Sequence, residues 1–421
     1  MQRGRSETAE PKKHFAGLAV CPAYGVHVYP LGRQVFPDPG TVPQTGRPQS
    51  QELEIMGSSY KVIDLFAGCG GLTLGFQRAG FEPVLAVERE PDFARTYAEN
   101  FGRHCVAAEI EQVVDGHVPK ADVVVGGPPC QGFSNLTGNK RGDPRRKLWQ
   151  YFMDVVEKSE CQAFVVENVP NLLKAPEGKG ILRRATELGF HVGDNSKGIL
   201  LASDYGVPQN RRRAIIIGSK HGAVALPPPI SGKKRTVRDA FRGIPARPTH
   251  TELPEGIDGV VRTPDLHIAR NPTETSLRRY RLIPEGGNRF DLQRLAPELT
   301  PACWIRKTQG GTDLFGRLEW DKPARCTIRC EFYKPEKGRY LHPAEDRPIT
   351  HWEAARLQTF PDDYRWFGSK IRIAIQIGNA VPPVFGQAIA EQVKKHLMAN
   401  SARATKRPPP AVVRQLVLEA G

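Results

Sequence analysis

The chain has 421 residues, with 60 Lys and Arg against 45 Asp and Glu, a net charge of +15. That length supports two modest domains with real cores, and the basic excess favours a polyanionic partner without separating DNA from RNA. No apolar run approaches the ~20 residues of a membrane span, no signal-peptide core is present, and eight singly scattered cysteines suit a reduced cytosol, not a disulfide framework.

Residues 1–56 hold seven prolines and nearly balanced charge, without a helical or strand period, and read as a disordered extension. Within them His27–Val35 is slightly apolar, and Met56 is an alternative start. From Tyr60 to about Gly218 strand and helix alternate. Expected strands are Lys61–Phe66, Pro83–Glu88, Ala121–Gly127, Ala163–Val169 and Arg213–Gly218, with an amphipathic helix at Leu148–Ser159. Valine- and isoleucine-rich strands between helices predict an α/β domain with a mostly parallel, doubly wound sheet. After Pro227–Pro229 the chain turns rich in Pro, Gly and Arg and periodic helices fade. Residues 230–345, with 22 Lys and Arg against 15 Asp and Glu, read as a smaller irregular domain of the loop-rich nucleic-acid-reading kind. Helical pattern returns at Thr350 with a Thr-x-x-Glu capping box, and a last helix is expected over Val384–Leu397. Residues 57–229 thus read as a first domain, 346–398 as a helical segment after the irregular one, and 399–421 as a basic mobile tail.

Five segments carry chemistry. In DLFAGCGGLTLGF (Asp64–Phe76) a strand ends at Phe66, and Gly68, Gly70 and Gly71 turn into a helix whose exposed N–H groups suit an anion. Thr73 stands at the third glycine position of a dinucleotide fingerprint, which favours a smaller carboxylate over a pyrophosphate. Glu88 ends the next strand, where an acidic residue commonly bonds ribose hydroxyls; alone it would read as a surface Glu. GGPPCQGFS (Gly126–Ser134) sets Cys130 at the lip of the sheet, where a thiolate would be nucleophilic; a lone cysteine in a turn would otherwise be structural. VVENVPNLL (Val165–Leu173) puts Glu167 at a strand end, placed to donate a proton or, more blandly, to form a salt bridge. In YGVPQNRRRAIIIG (Tyr205–Gly218) Arg211 and Arg213 alternate and should share a face, for a phosphate or base carbonyl. IQIGNAVPPVFGQAIA (Ile375–Ala390) places Asn379 and Val381 in a turn before the last helix. Cys303, Cys326 and Cys330 lack a matching Cys/His pair nearby, so no metal site is assigned.

In this order, with RLQTFPDDY (Arg356–Tyr364), the segments resemble the bacterial cytosine-C5 DNA methyltransferases over about Tyr60–Leu397. The resemblance implies a Rossmann-like S-adenosylmethionine-dependent methyltransferase domain, completed by residues 346–398 as a return segment, with a smaller target-recognition domain bordered by GRLEWDKPARCTI (Gly316–Ile328). It implies Cys130 as nucleophile on cytosine C6, Glu167 at N3, Arg213 at O2, and Arg211 supporting the loop. S-adenosyl-L-methionine would be the donor and S-adenosyl-L-homocysteine the product. The cofactor would be held by Phe66, Gly68, Cys69, Gly70, Gly71, Glu88, Glu109, Ile110, Pro128, Asn379 and Val381. Glu109 departs from the Asp usual there. Gln131, Ser134, Arg211 and Arg329 would touch double-stranded DNA, from which the target cytosine is flipped out. A cytoplasmic monomer without membrane attachment is expected, with a restriction endonuclease as a functional companion. The main alternative is a tRNA cytosine-C5 methyltransferase. A non-catalytic DNA-binding relative and an NAD-type oxidoreductase are further rivals.

Overall fold

The computed structural model describes residues 59–129, 144–306 and 310–405, together with two short strands nearer the N-terminus. Those strands, Ala19–Val20 and His27–Val28, pair antiparallel, with Ala19 opposite Val28. The extension read as lacking any strand period therefore carries a small two-stranded ladder. It belongs to a separate unit, Met1–Gly57.

In the main unit, β1 (Tyr60–Leu65), β2 (Phe81–Glu88), β3 (Cys105–Ala107), β4 (Val123–Gly126), β5 (Ala163–Asn168), β6 (Lys197–Leu201) and β7 (Arg212–Ser219) form one sheet. Its order is β3-β2-β1-β4-β5-β7-β6. Strands β1 to β5 are mutually parallel, and β7 runs antiparallel to both neighbours. The expected α/β class holds, and β3 and β6 add two strands to the five expected.

Side chains alternate across this sheet. Val123, Val125, Ala163, Val165, Ile215 and Ile217 face one way, into a core shared with α1 (Gly71–Arg78) and with α12 (Pro383–Thr405). On the other face Phe164 meets Phe152 of α4 (Leu148–Lys158) at 6.3 Å between ring centres; α2 (Pro91–Phe101) follows β2, and α5 (Pro176–Glu187) follows β5. Two glycines let α1 and α12 approach closely. A Cβ on Gly75 would lie 2.5 Å from the Gln387 backbone nitrogen and 2.6 Å from the Gly386 carbonyl carbon. The helix α12 outlasts its expected end at Leu397, because Asn400 and Ser401 bond back to the His396 and Leu397 carbonyls. Residues 399–405 are therefore helix, not tail. Within Lys370–Ala402 one 18-residue window is apolar enough for a membrane span, and 67% of that window is buried, as in a core helix.

Residues 230–345 are more structured than their composition suggests. Short helices α6 (Val237–Phe241), α7 (Glu274–Arg281), α8 (Arg289–Leu295) and α9 (Ala302–Ile305) are present. Thr236, Thr273 and Asn288 cap the first three. Between them runs loop backbone whose carbonyls need donors. Buried arginines supply them: Arg317 donates to the carbonyls of Tyr280, Ile283, His342 and Glu345, each at 2.7 Å. Arg339 holds Gly286, Gly287 and Arg317 in the same way, and Arg289 holds Gly310 at 2.7 Å. Part of the positive charge read as nucleic-acid contact is thus internal scaffolding.

The join with the return segment is a shared core. Val237, Phe241, Leu318, Ile328 and Phe332 pack with Trp352, Leu357, Phe360, Trp366 and Ile377. Strand β8 (Val260–Arg262) pairs with β9 (Arg365–Phe367). The expected capping box forms at Thr350 and Glu353, at the start of α10 (His351–Leu357), and α11 (Lys370–Asn379) follows β9.

Candidate active site

The order of the sheet reverses between β1 and β4. In open α/β sheets, ligands bind in the crevice beyond the strand ends at such a switch point. Here the two loops leaving β1 and β4 are the glycine turn Phe66–Gly71 and the segment entered by Gly127, Pro128 and Pro129.

The glycine turn is held in a form few residues adopt. Phe66, Gly68 and Gly70 have φ of 59°, 57° and 88°, and the Gly68 N–H donates to Glu88 Oε2 at 2.8 Å. The other Glu88 oxygen accepts from the Glu90 N–H at 2.8 Å. Burial pushes the Glu88 carboxyl up, against these two N–H groups and Arg89, which favour its charge. Among the described residues, no heavy atom would lie within 4 Å of a Cβ on Gly68, so the turn faces open space there. Beneath it Asp64 is buried, and the Thr73 hydroxyl donates to it at 2.5 Å. Burial raises the Asp64 carboxyl to about 7, against the stabilising Thr73 bonds. Thr73, which replaces the third glycine of a dinucleotide loop, therefore serves an internal carboxyl. Cys69 offers only backbone here: its side chain is buried, and its carbonyl accepts from the Tyr364 hydroxyl. Glu109 is exposed, 3.9 Å from Arg89, and Ile110 is buried at the start of α3 (Ile110–Val114).

The C-terminal turn closes against this loop. A Cβ on Gly71 would sit 2.3 Å from the Val381 carbonyl oxygen. Arg211 is buried and donates to the Gly378 and Asn379 carbonyls at 3.2 and 3.3 Å. This corrects the expectation that Arg211 and Arg213 share one face. Arg211 precedes β7 and reaches the end of α11, where carbonyls lack helical partners. Its two bonds to the closing turn fit the loop-supporting part expected of it.

Arg213 lies elsewhere. Its Nε is 2.9 Å from Glu167 Oε1, with side chains 14% and 10% exposed. The contact is an ion pair without hydrogen-bond alignment, so that oxygen keeps its lone pairs. Glu167 also flanks the entry to the cysteine loop, since a Cβ on Gly127 would lie 3.3 Å from Glu167 Oε2. Pro128 is buried, and its carbonyl accepts from Asn168 Nδ2 at 2.7 Å. Cys130, Gln131 and Ser134 lie outside the described residues.

From the recognition side, the Ile328 N–H donates to Gln209 Oε1 at 3.1 Å. The Gln209 amide donates to the Leu357 carbonyl at 2.9 Å. Cys330 Sγ is 3.0 Å from Asn379 Oδ1, and the exposed Arg329 lies beside the same turn. The structure thus brings Phe66–Gly71, Glu88, Pro128, Glu167, Arg213, Asn379, Val381 and Arg329 to the strand ends and the turn that closes on them.

The profile of the family described as C-5 cytosine-specific DNA methylase matches residues 60–395. The chain belongs to this family. It is a DNA cytosine methyltransferase. It is 36% identical to the Type II methyltransferase M1.HphI of Haemophilus parahaemolyticus, over 80% of this chain and 87% of that protein. The Type II methyltransferase M.AgeI of Thalassovita gelatinovora is 31% identical, over 79% and 99%. Among solved structures, a protein described as a DNA modification methyltransferase encoded within an E. coli prophage aligns at a TM-score of 0.61 and 26% identity, over 81% of this chain and all of that one. The Dnmt2 methyltransferase of S. pombe shares the fold, with a TM-score of 0.51 and 16% identity over 80% of this chain and 99% of that one.

Three residues that hold these loops and strands in place were not expected from the sequence. Asn168 and Gln209 sit inside motifs that were read for their charged neighbours. Asp64 carried a signal, a carboxyl within an apolar strand nine positions before a hydroxyl residue.

Proposed function

We propose that the enzyme methylates C5 of a flipped-out cytosine in a specific duplex sequence, using S-adenosylmethionine, and serves as the modification half of a Type II restriction–modification pair. The observation that carries this reading is that the glycine turn and the Pro128 loop flank the switch point, with the Glu167–Arg213 pair on the strands beside it. Residues 230–345 would read the target, through side chains such as Arg329.

The chain's residues fit the donor. The open space before Gly68 admits a ligand against backbone N–H groups, and Glu88 ends the neighbouring strand where ribose hydroxyls would lie. Glu109, Ile110, Pro128, Asn379 and Val381 would complete the walls. When bound, S-adenosylmethionine supplies an electrophilic methyl group.

Cytosine C5 is too weak a nucleophile to take that methyl unaided. The Cys130 thiolate would add to C6 and make C5 enamine-like. Glu167 would hold or protonate N3 and so stabilise the charge that develops, with Arg213 at O2. Loss of the C5 proton and β-elimination would then free Cys130.

The test is sequencing of plasmid DNA from cells expressing the chain by a 5-methylcytosine-sensitive chemistry, beside Cys130→Ser. Methylation within one short motif, absent in the variant, is expected. Methylation of tRNA alone, or equal methylation by the variant, would overturn the reading.

A further inference from the structure

We propose that Asn168 is the positioning residue that locks the cysteine loop to the strand carrying the acid. The inference rests on the proposed roles of Cys130 and Glu167.

The argument begins with what Pro128 and Pro129 lack. Proline has no N–H, so this part of the loop cannot donate a backbone hydrogen bond to the sheet. It can be fixed only through its carbonyls, which need a donor from elsewhere. Asn168 Nδ2 donates to the Pro128 carbonyl at 2.7 Å. The amide is itself oriented, because the Val169 N–H donates to Asn168 Oδ1 at 2.9 Å. An N–H can only donate, so this bond turns the oxygen towards Val169 and the NH2 towards Pro128. Asn168 is 4% exposed, so water does not compete freely for either end.

The geometry is coupled to the acid. Asn168 follows Glu167 at the end of β5, opposite Ala214 of β7, next to Arg213. Gly126 pairs in parallel with Val166, one residue before Glu167. The sheet therefore fixes where β4 ends, and Asn168 fixes the chain two residues later. Asn168 touches no reacting atom; it acts through the loop. Misplacement of a nucleophile by about 1 Å lowers rates on the order of 100-fold.

The test is Asn168→Asp, which keeps shape and the Val169 bond but removes the donor. Single-turnover methyl transfer should fall on the order of 100-fold. Covalent capture by duplex DNA carrying 5-fluorocytosine should slow in parallel. Affinity for S-adenosylmethionine and for DNA should stay within about twofold of wild type, and so should KM against the fall in kcat. Asn168→Ser, neutral and smaller, should behave alike and controls for the added charge. Wild-type rates in folded Asn168→Asp or Asn168→Ser would overturn the inference, as would equal losses in substrate binding. Unfolding of both variants would also overturn it, because Asn168 would then be a fold residue. Cys130→Ser, run alongside, separates the two levels: its full activity would sink the proposed chemistry, whereas its inactivity beside an unimpaired Asn168→Asp would sink only the positioning role.

Discussion

Arg213→Ala should destabilise the enzyme far more than an exposed arginine would, and Glu167→Gln should partly repair it. The two side chains are 14% and 10% exposed, with Nε 2.9 Å from Oε1. Removing one member of a buried pair leaves the other charge uncompensated, at about 3–5 kcal/mol. This pair sits at a cleft mouth, so about 3 kcal/mol is the better figure. In urea, with a slope of about 3 kcal/mol/M, that is a midpoint shift of about 1 M. The assay is urea unfolding at pH 7.5 of wild type, both single variants and the double variant. In the double variant no orphaned carboxylate remains, so its loss should fall short of the sum by at least ~1 kcal/mol. Losses that add to within about 0.5 kcal/mol would refute the reasoning, and would mean the two groups do not sense each other in the free enzyme.

Other expectations follow from packing and burial. Gly75→Ala should raise helix propensity by about 1 kcal/mol yet destabilise the enzyme by about 1–3 kcal/mol net of local gain, because its Cβ would strike α12 backbone at 2.5 Å; a thermal midpoint at or above wild type would contradict it. Burial holds His351 down to about 4, with the Lys370 carbonyl opposing. The unfolded state then binds the extra proton below about 6.5, so stability should fall as pH drops from 6.5 towards 4. The difference in unfolding free energy between wild type and His351→Gln should shrink over that range, and a constant difference would exclude the histidine as its source.

The parallel core of the sheet was legible because its strands are continuous Val and Ile runs, buried on both faces. β3 and β6 were not: Cys105–Ala107 is three residues long and half-buried, and Lys197–Leu201 is an edge strand opening on Lys-Gly. Helix α7 was hidden for another reason. Its sequence, ETSLRRYR, buries only Tyr280, so no apolar stripe marks it. At the site, residues that act by charge stood out, and those that act by holding backbone did not. Arg211 shows the limit of alternation as a guide. It lies one residue before the strand begins, so the period that would align it with Arg213 does not reach it.

The helix α12 has a consequence for how the enzyme is made. It fills the face of the sheet laid down by residues synthesised some 300 positions earlier, against Val62, Leu72 and Phe76. During translation that apolar face stays uncovered until the last helix leaves the ribosome, a state exposed to aggregation. The glycine turn at the head of α1 gains its final support only then. A nascent or C-terminally clipped chain should therefore be a poor methyltransferase, and two fragments parted in the loop before Thr350 should regain activity only by docking on each other.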